Sequence, residues 1–251
     1  MSNLLICGAL GRMGKKVYEA SLNSSLSAVC GVDRFEDKSN PNFPIYSSLN
    51  DVKEKIDVII DFSAPASLPA ILDYATKHNV PAILCATGYS AEDEKAVLEA
   101  SKIVPLFRSA NMSLGVNVLI DLVKKASAVL GDKFDIEIIE KHHNQKVDAP
   151  SGTALMLANA VKEVLPEKFY VNGREGIVGK RTKDEIGIHA IRGGNIVGEH
   201  DVIFAGENET ITLSHHAADR GVFANGAVAA AKFIVDKKNG LYNMTDVINS
   251  K

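Results

Sequence analysis

Short apolar runs alternate with helix-spaced segments along the first half of the chain. Leu4–Cys7, Ala28–Val32, Val58–Asp61, Ala82–Cys85 and Val104–Phe107 are predicted strands, and Arg12–Asn23, Ser67–Asn79 and Ala91–Ser101 are predicted helices. The apolar runs are continuous rather than alternating, as in strands covered on both faces. Strand–helix repetition of this kind predicts an α/β domain, a doubly wound parallel sheet with right-handed crossovers. Beyond Asn111 the pattern changes. Ser113–Leu130 is a predicted long helix. In Phe134–Glu140, Phe134, Ile136 and Ile138 fall on one face and Asp135, Glu137 and Ile139 on the other, the mark of a half-buried strand. Ser151–Leu165 reads as a helix; Ile186–Ile191, Val197–Phe204 and Thr210–Ser214 read as strands, parted by the turns Gly193-Gly194-Asn195 and Gly206-Glu207-Asn208. This second region is expected to be α+β, an open mixed or antiparallel sheet with helices on one side. A last helix, about Ala224–Lys237, is expected to return to the first region. The expected domains are therefore 1–112 with 221–251, and 113–220, with hinges at Asn111–Ser113 and Arg220-Gly221.

Composition narrows the class. The 251 residues are 46% hydrophobic and 24% charged, which excludes a disordered chain, a collagen and a disulfide scaffold. The formal net charge is −3, so the basic excess of a nucleic-acid binder is missing. Cys7, Cys30 and Cys85 each lie in or beside an apolar run, consistent with buried reduced thiols and a cytoplasmic setting. Met1-Ser2-Asn3 does not resemble the basic start of a signal peptide, and no window approaches the ~18 apolar residues of a membrane helix. No membrane partner is expected.

The first predicted strand runs into Gly8-Ala9-Leu10-Gly11-Arg12-Met13-Gly14 and then a helix. Missing side chains let a pyrophosphate approach the backbone, and the helix N-terminus offers free N–H groups. Leu10 stands where the commoner GxGxxG pattern has its middle glycine. Strand two ends at Asp33-Arg34: the acid suits ribose hydroxyls, whereas the Arg suits a 2′-phosphate, so NADH and NADPH both remain open. Asp61-Phe62-Ser63-Ala64-Pro65 and Cys85-Ala86-Thr87-Gly88 end later strands, where ligands sit in such sheets. Each of these also reads as a plain turn.

The densest polar segment is Glu140–Thr153. It contains His142-His143, Lys146 and Pro150-Ser151, with Ser151 an N-cap type leading into Gly152 and Thr153. First-turn N–H groups suit a carboxylate, Lys146 adds positive charge, and imidazoles titrate near neutrality. A small anion whose chemistry needs a proton fits this set. The open alternatives are a solvated loop, an ordinary capped helix, and a metal site joined by His200, His215 and His216. No HExxH or Cys/His spacing favours the metal.

The run His142-His143-Asn144-Gln145-Lys146-Val147-Asp148-Ala149-Pro150-Ser151-Gly152-Thr153-Ala154 resembles the signature of the 4-hydroxy-tetrahydrodipicolinate reductase (dihydrodipicolinate reductase) family. Gly8–Gly14, Ala86-Thr87-Gly88, Ala110–Asn117 and Phe223–Ala227 resemble that family in the same order, so the likeness spans essentially the whole chain. It implies a Rossmann-like first domain and a substrate-binding, tetramerising second one. The implied reaction is NAD(P)H-dependent reduction of a cyclic dicarboxylate with loss of water, in lysine biosynthesis through diaminopimelate. Carried over by residue, Gly8, Ala9, Leu10, Gly11, Arg12 and Met13 meet the pyrophosphate, and Asp33 and Arg34 the adenosine ribose. Cys85, Ala86 and Thr87, with Ser109, Ala110, Asn111 and Met112, line the nicotinamide side. His142 is the implied proton donor and Lys146 its acid partner; His143, Ser151, Gly152 and Thr153 hold the substrate. Cys85 and Ala86 depart from the family's Gly-Thr-Thr-Gly-Phe-like loop, and Asp33 stands where some members carry Glu. A cofactor-ratio sensor without turnover, and another two-domain oxidoreductase such as an aspartate dehydrogenase, are the competing readings.

Overall fold

The structure, a computed structural model, describes residues 1–37 and 40–250. Positions 38, 39 and 251, all in the expected first domain, lie outside the described residues. In chain order the elements are β1 (Ser2–Cys7), α1 (Arg12–Ser21), β2 (Leu26–Val32), β3 (Ile45–Tyr46), β4 (Val58–Asp61), α2 (Leu68–His78), β5 (Ala82–Leu84), α3 (Ala91–Ser101) and β6 (Pro105–Arg108). Then follow α4 (Leu114–Leu130), β7 (Asp135–His142), α5 (Gly152–Val164), β8 (Phe169–Asn172), β9 (Glu185–Arg192), β10 (Gly198–Ala205), β11 (Thr210–Ala217), α6 (Gly221–Ile234), β12 (Gly240–Tyr242) and α7 (Met244–Asn249). Two compact units result, Met1–Leu114 with Arg220–Lys251, and Gly115–Asp219. No helix among the described residues is long and apolar enough to cross a membrane.

The first unit is built on a parallel sheet of order β12-β6-β5-β4-β1-β2-β3. Strand neighbours point to opposite faces, and both faces are covered. Leu4, Ile6, Val58, Ile60, Ile83 and Phe107 join Val17 of α1 and Ala224, Ala227 and Ala231 of α6. Leu5, Cys7, Ile59, Ala82, Leu84 and Leu106 join Ile71 and Leu72 of α2 and Val97 of α3 on the other side. That double burial is why the runs read as continuous, and each fully buried Leu or Ile contributes about 1.5–3 kcal/mol. The Rossmann-like architecture matches the sequence reading. The short strands β3 and β12 escaped it, because two or three residues carry no period. Helix α7 also escaped, although its Asn243/Asp246 capping box is written in the sequence.

The second unit carries a five-stranded sheet of order β11-β10-β7-β9-β8. Strand β10 runs antiparallel to β7 and β11, but β7, β9 and β8 are mutually parallel. The sheet is thus mixed, which corrects the purely antiparallel option. Helix α5 follows β7 and supplies the long crossover that a parallel partner requires. Ile136, Ile138, Ile186, Ile188, Val202 and Phe204 face Leu119 and Val123 of α4 and Leu157 and Val161 of α5. On the opposite face Glu137 Oε2 lies 2.7 Å from His189 Nε2 and accepts from Arg174, while Glu137 Oε1 accepts from Arg181.

Candidate functional site

In the first unit the turn between β1 and α1 is shaped by close backbone approach. Gly8 takes φ +77°, and a Cβ on Gly14 would sit 2.2 Å from the Gly8 carbonyl oxygen, so only glycine lets α1 start there. Gly8 N–H donates to Val32 O at 2.8 Å, tying the turn to the end of β2. Leu10 N–H donates to Asp33 Oδ2 at 2.9 Å, and Arg34 N–H to Asp33 Oδ1 at 2.7 Å. Gly8, Leu10, Gly11, Asp33 and Arg34 line one cavity of about 680 Å³ with Ser47, Ser48, Phe62 and Ser63. The structure thus brings together the glycine turn and the acid–Arg pair. Ser47 and Ser48 were not picked out from sequence; no spacing rule links a serine after a two-residue strand to a turn forty residues earlier.

The strand-end segments follow. Asp61, fully buried at the end of β4, accepts from Ser63 N–H at 2.8 Å and Ser63 Oγ–H at 2.5 Å, and burial pushes its carboxyl up. Cys85 and Ala86 are buried; Cys85 N–H donates to Asp61 O at 2.9 Å, and burial pushes the Cys85 thiol up, away from reactivity. Thr87 is exposed. Ser109 Oγ–H donates to Asn111 O at 2.8 Å, while Asn111 Oδ1 accepts from Ser113 N–H at 2.8 Å; Ala110 is exposed and Met112 buried.

In the second unit β7 carries Glu140 and His142 on its buried face, two residues apart. Glu140 is fully buried and His142 nearly so. His142 Nδ1 lies 2.6 Å from Glu140 Oε2, so Nδ1–H donates and Nε2 is left as the outer nitrogen. A Cβ on Gly198 would lie 3.1 Å from that Nε2, so the glycine keeps the nitrogen uncrowded. Arg192 of β9 grips Glu140 bidentately, both bonds 2.7 Å, and Ser151 N–H donates to Glu140 Oε1 at 2.9 Å. Burial pushes the Glu140 carboxyl up, but Arg192, His142 and the Ser151 N–H outweigh it and hold it below the ordinary value. Arg192 also donates to Asp148 O at 2.7 Å, pinning the loop after His142. Within that loop Lys146 Nζ pairs with Asp148 Oδ1 at 2.7 Å, and Lys146 N–H donates to His143 O at 3.1 Å. His143 is half-buried.

Ser151 caps α5, its Oγ accepting from Ala154 N–H at 3.2 Å, with Gly152 and Thr153 in the first turn. Nothing lies within 4 Å of the position a Cβ would take on Gly152, so space is open at that helix start. His200, weighed as a metal ligand, instead lies 3.0 Å from Ser151 Oγ by its Nε2. Burial first, and neighbouring His142 second, pushes its imidazole down to about 4. His216 Nδ1 pairs with Glu199 at 2.9 Å. The predicted residues His142, Lys146, Ser151 and Gly152 therefore share one end of the sheet. Glu140 and Arg192 were missed. For Glu140 a signal existed: continuing the alternation of Ile136 and Ile138 puts a carboxylate on the apolar face, where a charge must have a partner.

The comparisons with known proteins agree with one another. A family model described as "Dihydrodipicolinate reductase, N-terminus" matches residues 2–112, and one described as "Dihydrodipicolinate reductase, C-terminus" matches residues 115–248. The chain is 55% identical over 251 residues to a 4-hydroxy-tetrahydrodipicolinate reductase of Caldanaerobacter subterraneus subsp. tengcongensis, covering 99% of this chain and 98% of that one. It is 51% identical over 253 residues to the protein of that name from Clostridium novyi, covering 100% of both. A dipicolinate-bound dihydrodipicolinate reductase from Paenisporosarcina sp. TG-14 superposes with a TM-score of 0.81 at 25% identity, over 97% of each chain.

Proposed function

The chain belongs to the dihydrodipicolinate reductase family, and from that premise we propose that it reduces 4-hydroxy-tetrahydrodipicolinate to tetrahydrodipicolinate with loss of water, using NADH or NADPH. The step belongs to lysine biosynthesis through diaminopimelate, run by a homotetramer in the cytoplasm. The three buried unpaired thiols are in keeping with a reducing compartment.

The first unit fits a dinucleotide. The start of α1 after the glycine turn carries no side-chain cap, and the cavity of about 680 Å³ lined by Gly8, Leu10 and Gly11 is of ligand size. Gly8, Ala9, Leu10, Gly11, Arg12 and Met13 would hold the pyrophosphate and Asp33 with Arg34 the ribose. Cys85, Ala86, Thr87 and Ser109–Met112 would hold the nicotinamide end. When bound, the reduced nicotinamide supplies a hydride.

The second unit supplies the proton and the anion grip. His142, oriented through Nδ1 by Glu140, donates from Nε2; general acids of this kind contribute about 10²–10⁴-fold. Lys146 stabilises negative charge as it develops and serves as a second acid. His143, Ser151, Gly152 and Thr153 hold a carboxylate at the start of α5. His200, neutral near pH 7 by its low pKa, adds no competing cation beside His142.

The observation that carries this reading is the buried 2.6 Å His142–Glu140 contact, whose carboxylate is bonded directly to the α5 cap residue through Ser151 N–H. The test follows NAD(P)H absorbance with the cyclic hydroxy-dicarboxylate and, separately, with oxaloacetate plus ammonia. Turnover is expected with the first. Turnover with the second alone would replace this function by the amino-acid dehydrogenase reading; binding of cofactor without turnover on either would favour the sensor.

A further inference from the structure

Cys85 and Ala86 give their loop few means of holding itself in place. Cys85–Ser90 contains neither helix nor strand, the Cys85 thiol is turned into the core, and Ala86 has no polar side chain. An irregular loop of this kind takes its conformation from donors supplied from outside. Cys85 N–H has Asp61 O. The outer donor is Arg108, the last residue of β6.

The Arg108 guanidinium makes three kinds of contact in the first unit. Nη1 donates to Ala86 O at 3.0 Å and to Leu84 O at 3.4 Å. Nε and Nη2 donate to Glu94 Oε1 of α3 at 3.2 and 3.1 Å. The Cζ carbon stacks 4.3 Å from the centre of the Tyr89 ring, within the same loop. The side chain is 16% exposed, so these bonds are shielded from water on most sides. A planar guanidinium serves carbonyls and a carboxylate from separate nitrogens while its face stacks on an aromatic ring; an ammonium does not. Arg108 is also covalently joined to Ser109, which starts the second segment assigned to the nicotinamide end. Ser109 and Asn111 then continue as a run of side-chain and backbone bonds.

One residue is therefore hydrogen-bonded to the first nicotinamide segment and continuous with the second. We propose that Arg108 is a positioning residue for the nicotinamide half of the cofactor, fixing Cys85–Thr87 against Ser109–Met112 through the Ala86 carbonyl without touching the reacting atoms. The inference rests on the cofactor reading above and adds a residue that reading does not use. The adenosine end, held by Gly8–Gly11 and Asp33, shares none of these bonds.

The experiment exploits that division. NADH and ADP-ribose, which lacks the nicotinamide, are titrated calorimetrically into the unaltered chain and into Arg108→Ala, Arg108→Lys and Glu94→Gln, and kcat is measured in parallel. Arg108→Ala is expected to weaken NADH by about tenfold or more and to lower kcat, while ADP-ribose affinity stays within about twofold. Arg108→Lys is expected to recover only part of the loss, and Glu94→Gln to give the same selective pattern at smaller amplitude. Unchanged NADH affinity in Arg108→Ala, or a parallel fall for ADP-ribose, overturns the proposal. Should Arg108→Ala fail to fold, the Glu94→Gln comparison decides alone by the same criterion. Absence of both affinities in the unaltered chain would instead overturn the cofactor reading itself.

Discussion

The glycine turn of the first unit and the His142 cluster of the second are built from opposite materials. The turn works through what is missing: Gly14 has no Cβ to strike Gly8 O, and the start of α1 has no side-chain cap. Its one charged anchor, Asp33, is tied to Leu10 N–H and Arg34 N–H. The His142 cluster works through buried charge, with Glu140 held at once by Arg192, His142 and Ser151. Backbone sites tolerate side-chain variation such as Leu10 in the turn, because the donors are the same in every residue. Buried ion clusters do not, since removing one partner leaves another uncompensated.

That contrast can be tested from its strongest consequence downward. Lys146→Ala is expected to lower kcat by at least about 100-fold, on the scale of general-acid loss, with NADH affinity nearly unchanged. Steady-state kinetics with a cofactor titration checks it, and near-normal kcat would refute the role of Lys146. Glu140→Gln is expected to lower kcat by about 10–100-fold, because Glu140 Oε2 orients the His142 ring through Nδ1 while the same carboxylate holds Arg192 and the Ser151 N–H. Near-normal kcat in Glu140→Gln would detach Glu140 from the site.

In the first unit the expected effects are smaller. On the proposed cofactor role, Asp33→Ala would remove an acceptor for a ribose hydroxyl and leave Arg34 unopposed, so the NADPH-to-NADH ratio of kcat/KM should rise severalfold. An unchanged ratio would mean that Asp33 serves only to brace Leu10 N–H. The smallest effect concerns stability in acid. Burial pushes Glu137 up, but Arg174, Arg181 and His189 outweigh it and hold it down to about 2, from an ordinary 4.5. A depressed carboxylate stabilises the folded chain above its unfolded value and loses that contribution as pH falls toward its folded one. Urea midpoints of the unaltered chain should therefore fall between about pH 4.5 and 2, more steeply than those of Glu137→Gln. Parallel slopes would assign acid sensitivity elsewhere.

The legibility of the two regions differs as their materials do. The continuous runs of β1, β4 and β5 announced a sheet covered on both faces, and glycines before α1 announced the turn. The run from His142 to Ala154 carries the family resemblance in the amino-acid order alone. The polar partners were less legible. Glu140 was within reach of a strand-alternation argument, yet Arg192 was not, because it lies 52 positions further on in a strand whose polar end reads as a surface. Arg108 likewise looks like an ordinary strand-end cation until Ala86 O and Glu94 are seen around it.

Periodicity, turn chemistry and the placement of glycine are properties of residues a few positions apart, so the amino-acid order by itself determined the strand–helix alternation, the dinucleotide-type turn and the polar segment before α5. Hydrogen bonds between groups such as Glu140 and Arg192, Ser151 and His200, or Arg108 and Ala86 depend on positions set to a fraction of an ångström by the packing of whole sheets. Only the tertiary structure decided those pairings, because the bond energy falls off within a distance that no local pattern in the chain specifies.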